Sequence, residues 1–279
     1  MTSFEDKVAA ITGAGSGMGR ALAEALASRH CHVAISDIDP QALAETHERI
    51  NSIQKANVSS HELDVADRQQ VEQFASDVVN EHGKVNMVFN NAGVSVTDTA
   101  ENMPYEDFEW LMNINFWGVI YGCKSFLPHF HEVEEAHIIN TSSIFGIVAV
   151  PSQSAYNASK FAVRGYSYAM RQELLDSHIG VSCVQPGGIK TNIIKSSRYT
   201  TADNTAATKE EFISRFNEFA GLTSEQAAEQ IRRGVLANKA RILVGRDAKT
   251  AAIVERIAPT GYQTLLSKLV NSLLNDKST

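Results

Sequence analysis

Cysteine is scarce in this chain. Cys31, Cys123 and Cys183 are its only cysteines among 279 residues. The number is odd, the positions are scattered, and no metal-ligand spacing is present, which excludes a disulfide framework. Each thiol sits in an apolar segment, so buried free thiols in a reducing cytoplasm are expected. Long apolar runs are also missing, since no stretch approaches the roughly 18 residues that a membrane span requires. The opening Met1-Thr-Ser-Phe-Glu-Asp6 is acidic and has no apolar core, so no secretory leader is expected. Basic charge is in deficit: 25 Lys and Arg stand against 32 Asp and Glu, a formal net charge of -7. That balance argues against nucleic acid or an anionic membrane as principal partner. His30, His32, His129 and His131 are not spaced as a credible metal cluster with carboxylates, and no catalytic metal is expected. Internal repeats and interdomain linkers are absent as well.

What remains is ample material for one core. Hydrophobic residues make up 43% of the sequence, and the length suits one large α/β domain over residues 1–279 better than two small ones. Short apolar runs alternate with helical patterns. Lys7–Thr12, His32–Ser36, Val58–Leu63, Val85–Asn90, His137–Thr141, Val181–Gln185 and Arg241–Val244 read as strands. Gly17–Arg29, a segment opened by Pro40, Arg68–Glu81, Tyr105–Phe130, Ser154–Ser177 and Ser224–Asn238 read as helices. Repeated β-α alternation predicts a doubly wound parallel sheet of about seven strands, with helices on both faces and ligands beyond the carboxyl ends of the strands.

Two regions break the rhythm. Thr191–Leu222 is polar at first and then amphipathic around Phe212, Phe216 and Phe219; an insertion of this length suggests a binding loop over about 190–222. The tail, about 247–279, places Leu265, Leu266, Leu269, Val270, Leu273 and Leu274 on one helical stripe. That stripe must pack on its own domain or on a partner subunit. A membrane-surface helix is disfavoured, because Lys268 is its only basic residue before Lys277.

The first strand runs into Thr12-Gly13-Ala-Gly15-Ser16-Gly17-Met18-Gly19-Arg20, which opens the first helix. Glycines let a backbone turn sharply and approach a ligand, and a helix N-terminus offers free N–H groups to a pyrophosphate. The Gly-x-x-x-Gly-x-Gly spacing does not satisfy Gly-x-Gly-x-x-Gly, and a tight turn without ligand is the plain alternative. Asp37 closes the second strand, where a carboxylate accepts from an adenosine ribose and repels a 2′-phosphate; NAD(H) is therefore expected over NADP(H). Asp64-Val65 could contact adenine, or Asp64 could cap the next helix. Asn90-Asn91-Ala92-Gly93 ends a strand in a turn that needs no ligand to explain it, yet it lies at the sheet edge a dinucleotide would use. Tyr156 and Lys160 are spaced i and i+4 and share a helix face, and a nearby ammonium would lower a phenol's pKa from about 10. Alone, such a pair is common on surface helices.

Together these motifs resemble the short-chain dehydrogenase/reductase family, in its branch of roughly 250-residue enzymes. The matches are Thr12-Gly-x-x-x-Gly-x-Gly19, Asn90-Asn-Ala-Gly93, Asn115, Ser143, Tyr156-x-x-x-Lys160 and Pro186-Gly187, in order, over residues 5 to about 245. The resemblance implies that Tyr156 is the general acid/base, that Lys160 holds the nicotinamide ribose and tunes the tyrosine, and that Ser143 binds the substrate oxygen. It also implies that Asn115 supports a water-linked proton relay. Asn113 competes with Asn115 on spacing, and Ser142 with Ser143; the following Phe-Trp-Gly and the position in the motif favour Asn115 and Ser143. Pro186, Gly187, Ile189 and Thr191 would meet the nicotinamide carboxamide, while Gly13, Ser16, Gly17, Met18, Gly19, Asp37, Asp64, Val65, Asn91, Ala92 and Gly93 would line the rest of the cofactor.

The expected function is an NAD(H)-dependent secondary alcohol dehydrogenase or ketone reductase, by resemblance a homotetramer or dimer in the cytoplasm. The rivals are an NADPH-dependent carbonyl reductase and a dinucleotide-binding sensor without turnover. The pocket should be built from residues after Ser143, from Val94–Val96 and from the 192–222 segment. Ile144, Phe145, Val148, Val150, Ile193 and Ile194, with Tyr199 and the phenylalanine stripe, suggest a hydrophobic ketone/alcohol pair rather than a sugar or an acid.

Overall fold

A computed structural model describes residues 1–191, 193, 197–199 and 221–264. The phenylalanine stripe, Ile194 and the apolar tail from Leu265 lie outside the described residues. Seven strands form one parallel sheet: β1 (Val8–Thr12), β2 (His32–Asp37), β3 (Val58–Glu62), β4 (Met87–Asn90), β6 (Ala136–Thr141), β7 (Ile179–Pro186) and β9 (Arg241–Val244). Their order is β3-β2-β1-β4-β6-β7-β9. The chain winds outward from β1 in one direction and then from β4 in the other. The crevice beyond the carboxyl ends of β1 and β4 is therefore the switch point at which such sheets bind ligands.

The central strands read as unbroken apolar runs because both faces are covered. All of Val8–Thr12 and all of Ala136–Thr141 are buried. One face packs α1 (Gly17–Ala27), α2 (Pro40–Ile53) and α7 (Ser224–Leu236) over Ile11, Leu22, Leu26, Ile35, Phe89 and Ile231. The other packs α3 (Arg68–His82), α5 (Gly118–Phe130) and α6 (Ser154–Glu173) over Phe74, Val88, Phe126, Phe130, Val163 and Met170. All three cysteines are buried and free, and burial pushes Cys123 and Cys183 up to about 12, so these thiols stay protonated. Among the described residues, no helix is long and apolar enough to cross a membrane.

Local signals set the helix ends. Asp39 accepts from the Gln41 and Ala42 amides ahead of Pro40, and Asp67 does the same for Gln69 and Gln70 at the start of α3. Helix α3 stops at Gly83, in the left-handed region at φ 75°. Thr223 and Gln226 form a reciprocal capping box that opens α7. Asp64 is not a helix cap: its Oδ1 accepts from the Ala66 amide inside the preceding turn, and Asp67 takes the capping role.

Two features depart from the sequence reading. The single helix expected over Tyr105–Phe130 is divided into α4 (Tyr105–Met112), a π-helical turn at Asn113–Trp117, and α5. A short parallel pair joins β5 (Val96–Thr97) to β8 (Arg198–Tyr199), with no periodic signal in the sequence to announce it. Helix α8 (Arg246–Ile257) follows β9, where the helical tail expected from about 247 begins.

Candidate active site

The glycine turn leaves β1 and enters α1. Gly13 and Gly17 have φ of 65° and 52°, a conformation that L side chains rarely adopt. A Cβ at Gly13 would lie 2.8 Å from the Ala92 Cα, so this glycine lets the turn close onto Asn91-Ala92-Gly93. The Asn91 amide group donates to the Thr12 carbonyl, and Thr12 Oγ1 accepts from the Asn91 and Ala92 amides. A Cβ on Gly17 would sit 3.3 Å from Thr191 Cβ, which places the segment after β7 against the start of α1. Ser16 is the N-cap residue yet makes no side-chain cap hydrogen bond, so the first-turn N–H groups at Gly17, Met18 and Gly19 are not capped by it.

Asp37 stands at the end of β2, and its Oδ2 accepts from the Gly15 amide at 2.8 Å. Gly15 fits there because a Cβ would come within 2.8 Å of that oxygen. The carboxylate is thus fixed beside the turn. Arg20 is engaged elsewhere, bonded to Thr46, to the Ala42 and Gly15 carbonyls, and to Glu45. Val65 is buried, with its side chain against Gly118.

Asn115 is completely buried in the π-helical turn, whereas Asn113 is exposed. The Asn115 amide accepts from Val94 N at 2.8 Å and donates to Val94 O at 2.9 Å, and it reaches Ser159 Oγ at 3.3 Å. The π turn inserts one extra residue, and that insertion aims the asparagine at the loop after β4. Gly93 lies between the two halves of the site: a Cβ would be 3.2 Å from Asn115 Oδ1 and 3.4 Å from Lys160 Nζ. The structure thus gathers Asn115, Gly93 and Lys160 at one point.

Helix α6 carries Tyr156 and Lys160, and Ser143 stands two residues past the end of β6, at the start of the Ile144–Gly146 turn. The Ser143 hydroxyl accepts from Phe145 N and stands near enough to the phenol to pull its pKa down. Ser142, the competing serine, is turned inward and donates to the Lys160 carbonyl at 2.7 Å. Lys160 Nζ donates to Thr141 O at 3.0 Å and lies 5.5 Å from the centre of the Tyr156 ring. The expected depression of the phenol is not what this arrangement produces. Burial pushes Tyr156 up to about 12 against the smaller downward pull of Ser143, and burial brings Lys160 down to about 8. The ammonium is spent on the Thr141 carbonyl, and the same crowding that excludes water penalises the phenolate.

Past Pro186, the Gly187 amide bonds Val244 O, Ile189 is buried, and Thr191 faces Gly17. A residue that sequence reasoning missed holds this segment. Asp247, in the first turn of α8, accepts from Gly188 N at 2.6 Å, and Gly187 has no room for a Cβ beside its carboxylate. No motif marks Asp247, because the contact exists only once β7 and β9 are paired. On the substrate side, Phe145 packs edge-on to Tyr156 at 6.0 Å, and Val148 and Ile144 belong to a small apolar cluster with Tyr262. Ile193 lies in a turn and is half-buried.

A parallel sheet with a glycine turn at its switch point and a serine, tyrosine, lysine and asparagine at the same edge defines a Rossmann-like α/β oxidoreductase. Residues 7–202 match the short chain dehydrogenase family, and the chain belongs to that family. The oxidoreductase SadH of Mycobacterium tuberculosis is 44% identical over 96% of this chain and 96% of its own length. The 3-ketodihydrosphingosine reductase of Bacteroides thetaiotaomicron is 35% identical over 67% of this chain and 66% of its own. A short-chain dehydrogenase/reductase from Burkholderia phymatum, solved with NAD, superposes with a TM-score of 0.84 at 30% identity, covering 94% of this chain and 97% of that one.

Proposed function

We propose that the chain is an NAD(H)-dependent oxidoreductase that interconverts a hydrophobic secondary alcohol and its ketone. The observation that carries this reading is the convergence of Asn115 and Lys160 around Gly93, with Tyr156 one helical turn before Lys160 and next to Phe145 and Ser143. The cradle fits a nicotinamide dinucleotide. Gly13, Ser16, Gly17, Met18 and Gly19 present the helix N-terminus to the pyrophosphate, and Asp37 takes the adenosine ribose. Asn91, Ala92 and Gly93 line the second ribose with Lys160, Asp64 and Val65 lie toward the adenine, and Pro186, Gly187, Ile189 and Thr191 face the nicotinamide. When bound, the dinucleotide supplies or accepts the hydride. NAD(H) is favoured over NADP(H) by the fixed Asp37 carboxylate and by the engagement of Arg20 with Glu45, which leaves that guanidinium committed away from a 2′-phosphate. The NAD complex of the Burkholderia relative supports the same choice.

In reduction, Ser143 Oγ–H holds the substrate oxygen and polarises the carbonyl. Tyr156, kept protonated by its burial, delivers the proton to that oxygen, and in the reverse direction accepts it. Lys160, held by Thr141 O with its ammonium 5.5 Å from the centre of the tyrosine ring, keeps a cation near the charge that develops on the tyrosine oxygen during the reaction. Asn115 holds the loop at Val94 and fixes where the lysine stands. Phe145, Ile144, Val148, Val150 and Ile193 offer an apolar wall, which suits a bulky ketone; a relative named for reducing 3-ketodihydrosphingosine supports that choice. The proposal also keeps residues 1–279 as one domain, with the 190–222 insertion on the substrate side and homo-oligomerisation as the assembly.

Tyr156→Phe tests the mechanism. Turnover in an NADH-coupled ketone screen should fall by about a hundredfold or more, as for loss of a general acid, while NADH still binds. Near-normal turnover would reject it. Higher kcat/KM with NADPH than with NADH would reject the cofactor assignment, and activity confined to charged hydroxy acids would reject the substrate class.

A further inference from the structure

The loop after β4 is tied on three sides, and Ser95 is the knot. Its neighbour Val94 is gripped at both backbone groups by Asn115. The Ser95 carbonyl accepts from Ser197 Oγ at 3.0 Å and from Arg198 N at 3.1 Å. The Ser95 hydroxyl donates to Gln153 Oε1 at 3.4 Å, and Gln153 Nε2 donates to Thr97 Oγ1 at 2.8 Å. Gln153 is buried and precedes Tyr156 by three residues, at the N-cap of α6. The strand pair β5–β8 completes the link through Val96 to Arg198 and Thr97 to Tyr199.

Arg198 supplies the outer clasp. Its guanidinium lies 3.7 Å from the centre of the Trp110 ring, and Nη1 is 2.7 Å from Asp107 Oδ1. Both partners are on α4, the helix that runs into the π turn carrying Asn115. An ion pair this exposed would contribute little by charge alone. A planar cation stacked on an indole and simultaneously paired to a carboxylate has one preferred geometry, which lysine cannot reproduce. Nothing in the reaction chemistry requires these three side chains. They join the segment beyond β7 to the helix beneath the catalytic asparagine.

We propose that Arg198 is a positioning residue: clasped by Trp110 and Asp107, it holds β8 on the Val94–Thr97 wall and so sets the substrate side of the site without touching the dinucleotide. This rests on the alcohol/ketone reading of the same site. The wall is shared between the Asn115 grip and the Gln153 tie, so its displacement should be felt by a substrate at Tyr156 before it is felt at the glycine turn, which is held independently by the bonds of Asn91 and Ala92 to Thr12.

The test is Arg198→Met, which keeps an apolar stem over Trp110 but removes the fork, alongside Arg198→Lys and Trp110→Leu. Amide hydrogen exchange of the full chain should show faster exchange in peptides spanning 94–99 and 197–199 for Arg198→Met, with peptides from the 13–20 turn unchanged. KM for a bulky ketone should rise about tenfold while kcat changes less than about threefold and the NADH Kd is unaltered. Arg198→Lys should recover only part of the loss, and the Trp110→Leu/Arg198→Met double variant should be no worse than the poorer single one. Unchanged exchange at 94–99, or a KM rise matched by an equal rise in NADH Kd, overturns the proposal. If the wild type reduces no ketone at all, the functional reading falls, and the exchange experiment still decides whether Arg198 holds the wall.

Discussion

Lys160 has two demands on one ammonium. It donates to Thr141 O and stands 5.5 Å from the tyrosine ring, and burial lowers its pKa from 10.5 to about 8. Tyr156 moves the other way, up to about 12. Ketone reduction needs a protonated tyrosine and a charged lysine. The phenol keeps its proton across the neutral range, so the lysine sets the alkaline limb: it is charged below about pH 8 and loses its charge as pH rises through that value. The expected outcome is a kcat/KM for ketone reduction that is flat below about pH 7 and declines tenfold per pH unit well above 8, the behaviour of a single required proton. A profile flat to pH 10 would show that the free lysine keeps its ordinary pKa. Gly93 belongs to the same argument, because a Cβ there would crowd Asn115 Oδ1 and Lys160 Nζ together.

At the scale of elements, the strands and most helices were legible because each carries its own signal. Apolar runs such as Val8–Ile11 are what a sheet covered on both faces requires, and Pro40 marks a helix start locally, whereas the cap of α3 is Asp67 and not the Asp64 considered from the sequence. The glycine turn, Asn91–Gly93, Ser143, Tyr156 and Lys160 were legible as residue types at fixed spacing, and the structure gathers them at one sheet edge. Other features had no local signal. The π turn at Asn113–Trp117 keeps an amphipathic pattern on either side, so one helix was read where three pieces stand. The direction of the Tyr156 shift depends on how much protein surrounds the phenol, which spacing does not encode. Asp247 is distant in sequence from the segment it holds, and it reaches Gly188 only through the pairing of Gln185 with Leu243 and Pro186 with Val244. Removing it has a definite expected effect. Asp247→Ala frees the Gly188 amide and releases the segment from Gly187 to Ile189. The KM for NADH should then rise about tenfold, equivalent to roughly 1.4 kcal/mol, within the range for one charge-assisted hydrogen bond. Steady-state kinetics with saturating ketone would measure it, and an unchanged KM would show that α8 does not position this segment.

The whole molecule carries a stability term far from the active site. His137 lies near the start of β6, fully buried, between Met87 of β4 and Gly180 of β7. Its Nε2 is 2.8 Å from Ser182 Oγ, and that hydroxyl donates to Lys239 O, so Nε2 carries the proton and the ring is neutral. Nδ1 has no hydrogen-bond partner and faces the Gly180 Cα, where even a methyl group would not fit. Protonation would bury an unpaired charge, and burial, the N-terminal ammonium and Arg171 together lower the pKa from 6.5 to about 3. The sign follows from linkage. Below about pH 6.5 the unfolded chain binds a proton that the folded chain refuses, so stability falls as pH falls from there toward 3 and is unaffected above it. The slope expected from this one group is about 1.4 kcal/mol per pH unit across that window. His137→Gln can still donate to Ser182 but does not titrate. Urea unfolding between pH 4 and 7 should therefore give a shallower acid limb for the variant, by about that slope, with the two curves parallel above pH 7. Equal slopes for wild type and variant would place the acid sensitivity elsewhere, with His61 and His82 at the β3 edge the next groups to test, since burial lowers both.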